Sequence, residues 1–254
     1  MRTAAIAFNT FREAIRDRIL YSLLVFALAM IGGSVILTTL SVGGEARIIK
    51  DLGLAAIGLV GTLIAVFIGV GLVYKEIERR TLYTIIIKPI RRADFILGKF
   101  LGLTLTLAVN VAIMGVGLVL LASAMEARLT WELLLPVGLT FVKLMVVTAI
   151  AVLFSTFSTP TLSAIFTLAL VVVGSLANDL KLFAATFGGP LLQWVVAALY
   201  LVLPNLATLD VGGAVVHGRP VPATVATLAA AYGLAYAAAL LAGAVWIFQY
   251  RDFK

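Results

Sequence analysis

The segment from Lys75 to Lys99 reads KEIERRTLYTIIIKPIRRADFILGK and holds seven of the 19 Lys and Arg residues of this 254-residue chain, against three acids. Cations grouped in this way beside apolar runs bind anionic surfaces and keep a loop on the cytoplasmic side of a membrane. Residues suited to covalent or acid-base chemistry are sparse elsewhere. There is no cysteine, which removes disulfides, thiolate metal sites and cysteine nucleophiles. The single histidine, His217, lies in the Gly- and Pro-rich stretch GGAVVHGRPVP, and one imidazole makes a poor metal site. No GxxxxGK[ST] phosphate loop occurs, so the chain does not encode a nucleotide cradle of that kind. All twelve acids fall outside or at the edges of the apolar runs, which leaves no carboxylate pair for an intramembrane proton relay or protease. Ser155 and Ser158, in STFSTP, have no neighbouring base and read as turn residues.

Lys143 is the exception, a charge inside an apolar run and roughly 18 Å of helix rise from Trp131. Lys near the bilayer centre costs about 2.5–3.5 kcal/mol on insertion scales, so its side chain is expected to face the bundle interior or a wet cavity. Asn110, about twelve residues into its own run, falls at similar depth, and its carbonyl oxygen can accept from the ammonium. Two readings stand for this pair: a structural bond, or a part in cargo contact or gating.

The elements that must position these groups follow from composition. With 63% hydrophobic and 12% charged residues, the chain is an all-α polytopic membrane protein forming one domain over 1–254. Its net charge of +7 would suggest nucleic acid in a soluble protein, but the cations sit at the ends of apolar runs, where they orient helices. Nucleic-acid binding is therefore excluded. Six transmembrane helices are expected, at about 19–41, 52–74, 97–123, 133–156, 161–178 and 223–248. Between the last two, 179–222 forms an outer loop in which the thirteen residues Leu191 to Leu203 are too few to cross and read as a re-entrant or interfacial helix. With six spans, thirteen Lys and Arg collect on the cytoplasmic side and five outside, with both termini cytoplasmic.

Residues 1–18 carry Phe8, Phe11, Ile15 and Ile19 at helical spacing opposite Asn9, Arg12, Glu13, Arg16 and Asp17. This pattern predicts an amphipathic interfacial helix, or else a cytoplasmic extension of the first span. The stretch lacks the short apolar core of a cleavable signal peptide and is expected to persist. Small residues repeat every four positions at Gly61, Ala65 and Gly69 and again at Ala231, Ala235, Ala239 and Gly243, marking packing faces, with packing inside the chain preferred over packing across a dimer.

The segment EIERRTLYTIIIKPIRRADFILGKFLG resembles the cytoplasmic loop between the second and third spans of the ATP-binding cassette type-2 permeases. That family orders an acidic residue, a basic or glycine pair, Thr-Leu, an apolar stretch, Pro, a basic residue and Gly-Lys. Here these are Glu78, Arg79-Arg80, Thr81-Leu82, Ile85 to Ile87, Pro89, Arg91-Arg92 and Gly98-Lys99. Arg80 stands where many members have Gly. The outer LVLPNLATLD is also similar to a PNL-type segment of some permeases.

The resemblance implies a membrane-spanning exporter subunit of the inner (cytoplasmic) membrane, working as a homodimer or pseudo-dimer. A separate ATPase subunit would bind a coupling region at 75–96, with a cytoplasmic coupling helix and Glu78, Arg79, Arg80, Thr81, Pro89, Arg91 and Arg92 in the contact. ATP and magnesium would sit in that partner, so this chain is expected to be neither an enzyme nor a cofactor carrier. Membrane lipid and accessory subunits are further partners it allows. Cargo in the family ranges over drugs, lipids, polysaccharides and sulfur- or haem-related maturation substrates, and apolar walls favour a hydrophobic or amphipathic one. An ATP-independent channel or secondary transporter, or a membrane scaffold, is the alternative. The first two usually show inverted repeats or intramembrane ion-coordinating groups, and here only Lys143 qualifies.

The topology has a direct check, since any introduced cysteine is the only one to label. Cysteines at Thr84 and Phe253 should react only from the cytoplasmic side and one at Val215 only from outside. Outside labelling at 253 would favour seven spans over six.

Overall fold

A backbone in hydrocarbon must satisfy its N–H and C=O groups within its own segment, and the apolar runs do this as helices. The computed structural model describes residues 2–38, 45–78 and 92–250. Its helices are α1 (Arg2–Ile15), α2 (Arg18–Thr38), α3 (Glu45–Glu78), α4 (Arg92–Glu126), α5 (Leu134–Ser155), α6 (Pro160–Ser175), α7 (Ala177–Phe187), α8 (Pro190–Val202), α9 (Gly212–Val216) and α10 (Ala223–Tyr250). Two 3-10 turns, Trp131–Leu133 and Leu206–Leu209, complete the set, and no strand occurs among the described residues. Five helices are long and apolar enough to cross a membrane, and α6 with α7, bent by 56°, makes a sixth when the pair is taken as one span. The chain is a helical, multi-pass membrane protein.

The third helix is the axis of the bundle. In its most apolar stretch 67% of residues are buried, against 22% for α2 and 28% for α10, and it packs on α2, α4 and α5. The Gly61, Ala65, Gly69 stripe explains the close approach to α5, because a side chain at Gly61 would strike Leu144 and one at Gly69 would press on Ala151. The second expected stripe behaves otherwise. Ala231, Ala235 and Ala239 point outward, and α10 packs instead through Ala226, Ala229, Gly233, Ala237, Leu241, Ala244 and Phe248. A strict four-residue repeat drifts around a helix of 3.6 residues per turn, whereas this alternation of three and four stays on one face.

Two spans begin earlier than their apolar runs. The helix of the 52–74 run starts at Glu45, and that of the 97–123 run starts at Arg92. Charges at helix ends are tolerated where they find partners. Lys50 is 6% exposed and its Nζ lies 2.5 Å from Glu126 Oε1 and 3.1 Å from Glu132 Oε1, while Arg128 bonds both acids. This cluster ties α3 to the α4–α5 connection, where Ala127 holds a left-handed φ of 52°. The expected coupling helix and Arg79, Arg80, Thr81, Pro89 and Arg91 lie outside the described residues.

The N-terminal helix is separate from the first span. Asp17 breaks the run and its carboxylate accepts from the Ile19 N–H at 2.9 Å, capping α2. Its partner is α4. Side chains at Gly98 and Gly102 would collide with Ile6, with the Ala7 carbonyl and with Thr10, so the two helices cross almost backbone to backbone. Thr3 donates to Asp94 at 3.1 Å and Lys99, 1% exposed, lies 3.8 Å from Glu13. Phe8, at 52% exposure, points away from this contact.

A methyl group at Gly102 would stand 2.5 Å from the Ala7 carbonyl, an atom that cannot turn aside. Gly102→Ala should therefore displace α1 and cost about 1–3 kcal/mol. Faster protease cleavage within residues 1–17, with α2–α10 intact, is the expected readout.

Candidate functional site

The outer loop contains the residues that build the site. Its short helix is present as α8, begun by Pro190 at its first position, and it is joined to α7 by Gly188-Gly189. Pro204 then ends the helical run, and the chain folds back into the bundle. Leu206 and Leu209 are fully buried, and Leu209 packs with Val142 of α5 against Gly233 of α10. Gly233 and Val142 each stand about nine residues inside their helices, roughly 14 Å from the N-terminal ends. The segment after α8 thus reaches well into the bundle before returning along α3, where Gly212 meets Leu54.

Irregular backbone at that depth requires partners from the protein itself. Asn205, 4% exposed, supplies them. Its N–H donates to the Tyr232 hydroxyl at 2.9 Å, its Nδ2 donates to Tyr200 Oη at 2.8 Å and to Asn178 Oδ1 at 3.1 Å, and its carbonyl accepts from Thr208. One asparagine thereby joins α7, α8 and α10. Gly174 leaves room for the Pro204 carbonyl, which a side chain there would strike.

Lys143 lies beside this segment. Its Nζ is 3.7 Å from Asp210 Oδ2, with side-chain exposures of 14% for Lys143 and 63% for Asp210. The two line a cavity of about 590 Å³ enclosed by α2, α3, α5, α6 and the start of α9. Met30, Leu54, Leu63 and Val171 give it apolar walls, and Thr62, Thr140 and Ser175 add hydroxyls. Asp51 stands at its outer lip. Lys143 thus lines this cavity, and the partner expected for it does not stand beside it. Asn110 is 2% exposed and donates to the Thr106 carbonyl of its own helix at 2.8 Å, while the acid beside Lys143 comes from the outer loop. Depth can be counted along a sequence; the side of the helix a residue faces depends on its neighbours.

Of the other expected site residues the described part contains Glu78 and Arg92, both at the opposite end of the bundle. Arg92 donates from Nη1 to the carbonyls of Phe248 at 2.9 Å and Gln249 at 2.8 Å, capping the C-terminal end of α10. Phe95 stacks on Phe248 with ring centres 5.8 Å apart. Glu78 ends α3. The structure does not bring these residues to Lys143. His217 is exposed, with Nδ1 2.8 Å from the Gly213 carbonyl, and no group of three metal-binding side chains occurs among the described residues. Ser155 and Ser158 bond locally at the end of α5.

A family model described as a protein of unknown function, DUF2705, matches residues 45–254. The chain belongs to that family. The DUF2705 match runs from the first residue of α3 through α10, so it contains Lys143, Asp210 and the Asn205 junction. No curated protein matches the sequence.

Asn205→Ala removes the two donors of Nδ2 and leaves Tyr200 and Asn178 without their shared partner. The loss should be about 1–3 kcal/mol, read as a lower thermal midpoint in lipid nanodiscs. A cysteine at Leu209 should also become reactive in this variant and stay protected in the parent.

Proposed function

We propose that this chain is the membrane-spanning permease subunit of an ATP-binding cassette exporter, in which a separate ATPase subunit hydrolyses ATP and drives substrate across the membrane. The carrying observation is the ordered set Glu78, Arg79-Arg80, Thr81-Leu82, Pro89, Arg91-Arg92 and Gly98-Lys99, which runs from the last residue of α3 into α4. The packing gives the end of this set a physical part. Gly98 makes room for α1, Lys99 approaches Glu13, and Arg92 holds the end of α10. A force applied by a partner to the loop would thus reach α1, α4 and α10 together. On this reading the loop, α1 and both termini are cytoplasmic, the membrane is the inner one, and two copies assemble with two ATPase subunits.

The ion pair between Lys143 and Asp210 favours a second reading, an ion-coupled transporter without an ATPase, because charged pairs within a bundle mark proton and ion pathways. Stable association with an ATPase separates the two.

The chain should copurify with an ATP-binding cassette ATPase coexpressed with it, and Arg91→Glu should weaken that complex by on the order of 2 kcal/mol, roughly thirtyfold. Arg92→Glu is a poorer probe, since it also removes the bonds to Phe248 and Gln249. Failure to bind any such ATPase, together with ATP-independent transport in proteoliposomes, would sink the exporter reading.

A further inference from the structure

We propose that the Lys143 cavity binds a single-headed anionic amphiphile whose carboxylate or phosphate takes the place of Asp210 on Lys143. Three features point to this ligand. First, the ammonium is held incompletely. Lys143 donates no hydrogen bond among the described residues, and Asp210, its one ionic partner there, stays 3.7 Å away and 63% exposed to solvent. Each of the three N–H groups of a Lys can donate, so the site has unused capacity for an anionic oxygen. The hydroxyls of Thr140 and Ser175 line the same space and are further donors.

Second, the walls suit an apolar body. At about 590 Å³ the cavity is within the usual range for a small-molecule site, and its lining is mostly aliphatic. It is flanked by α2 and α6, two helices that do not pack extensively on each other. A chain can therefore lie between them with its head at Lys143.

Third, the charges are ordered along the cavity. Gly61 packs on Leu144, the residue next to Lys143, so the Lys143 backbone lies on the order of 15 Å along α3 from Asp51, while its side chain reaches Asp210, whose carboxylate stands beside Gly212 near Leu54. A ligand with one anionic end meets Lys143 and leaves its apolar end among the aliphatic walls. A ligand anionic at both ends brings a second charge to those walls or to Asp51 and is disfavoured. Displacement also gives binding a mechanical consequence. Asp210 belongs to the segment that Asn205 anchors, so releasing it frees one of the contacts that hold this segment against α5. That the amphiphile is cargo rests on the exporter reading; that it binds does not.

The test is calorimetric titration of the full chain in phosphatidylcholine nanodiscs with dodecanoate, dodecyl phosphate, dodecanedioate, dodecyltrimethylammonium and inorganic phosphate. Dodecanoate or dodecyl phosphate should bind at one site at least tenfold more tightly than the dianion or the cation, and whichever binds better identifies the head as carboxylate or phosphate. Lys143→Met should weaken this binding tenfold or more, and Lys143→Arg should largely retain it. Asp210→Asn should strengthen it several-fold, because the competing carboxylate is gone, and the ligand should raise the thermal midpoint of this variant more than that of the parent. Equal binding by Lys143→Met, weaker binding by Asp210→Asn, preference for the cation, or binding of inorganic phosphate alone would each overturn the proposal. Absence of ATPase association alongside intact dodecanoate binding would refute the exporter reading and leave this site standing.

Discussion

A segment that enters an apolar bundle without regular helix must bring its own hydrogen-bond partners, and the turn after Pro204 meets that demand through Asn205. Its N–H and side chain bond to Tyr232, Tyr200 and Asn178, three residues from three helices. With these bonds in place the chain can turn inside the bundle, bury Leu206 and Leu209, and carry Asp210 to Lys143. Without them, the N–H and side-chain amide of the buried Asn205 would lack partners, each at a cost of about 1–3 kcal/mol. The cavity around Lys143, the bend between α6 and α7 and the placement of α8 all depend on this junction.

The opposite end of the bundle is organised by close backbone contact. Gly98 and Gly102 bring α1 onto α4, and Arg92 fixes the end of α10 to the start of α4. Between the two ends runs α3, the most buried span, which touches the cavity on one side and ends at the basic loop. In the proposed exporter this central helix would couple the two ends, because a packed interior shifts in discrete steps instead of deforming smoothly.

The outer cluster of Lys50, Glu126, Arg128 and Glu132 has a different character. Four charges share ion pairs at the end of α3 and the α4–α5 connection, with Lys50 buried. Removing Glu126 would leave the buried Lys50 with a more exposed partner only, a loss larger than the net stability the whole cluster adds.

The helical membrane class, the approximate spans, the short helix before the last one and the need for Lys143 to avoid lipid were all legible in the amino-acid order. Each follows from local quantities: the length of an apolar run, the position of Pro and Gly, and the cost of a charge in hydrocarbon. The cationic loop and its ordered residues were equally readable, since they lie close together in the chain. Only the tertiary structure decided which groups meet. Asp210 read as an outer-loop acid because nothing local signals that Asn205 anchors its segment deep in the bundle. Asn110 and Lys143 matched in depth but face different neighbours, and the outward turn of Ala231, Ala235 and Ala239 arises from the same cause. The docking of α1 on Gly98 and Gly102 joins residues about ninety positions apart, a contact that helical periodicity in either segment leaves open, because periodicity gives a helix an apolar face without naming the surface that will cover it.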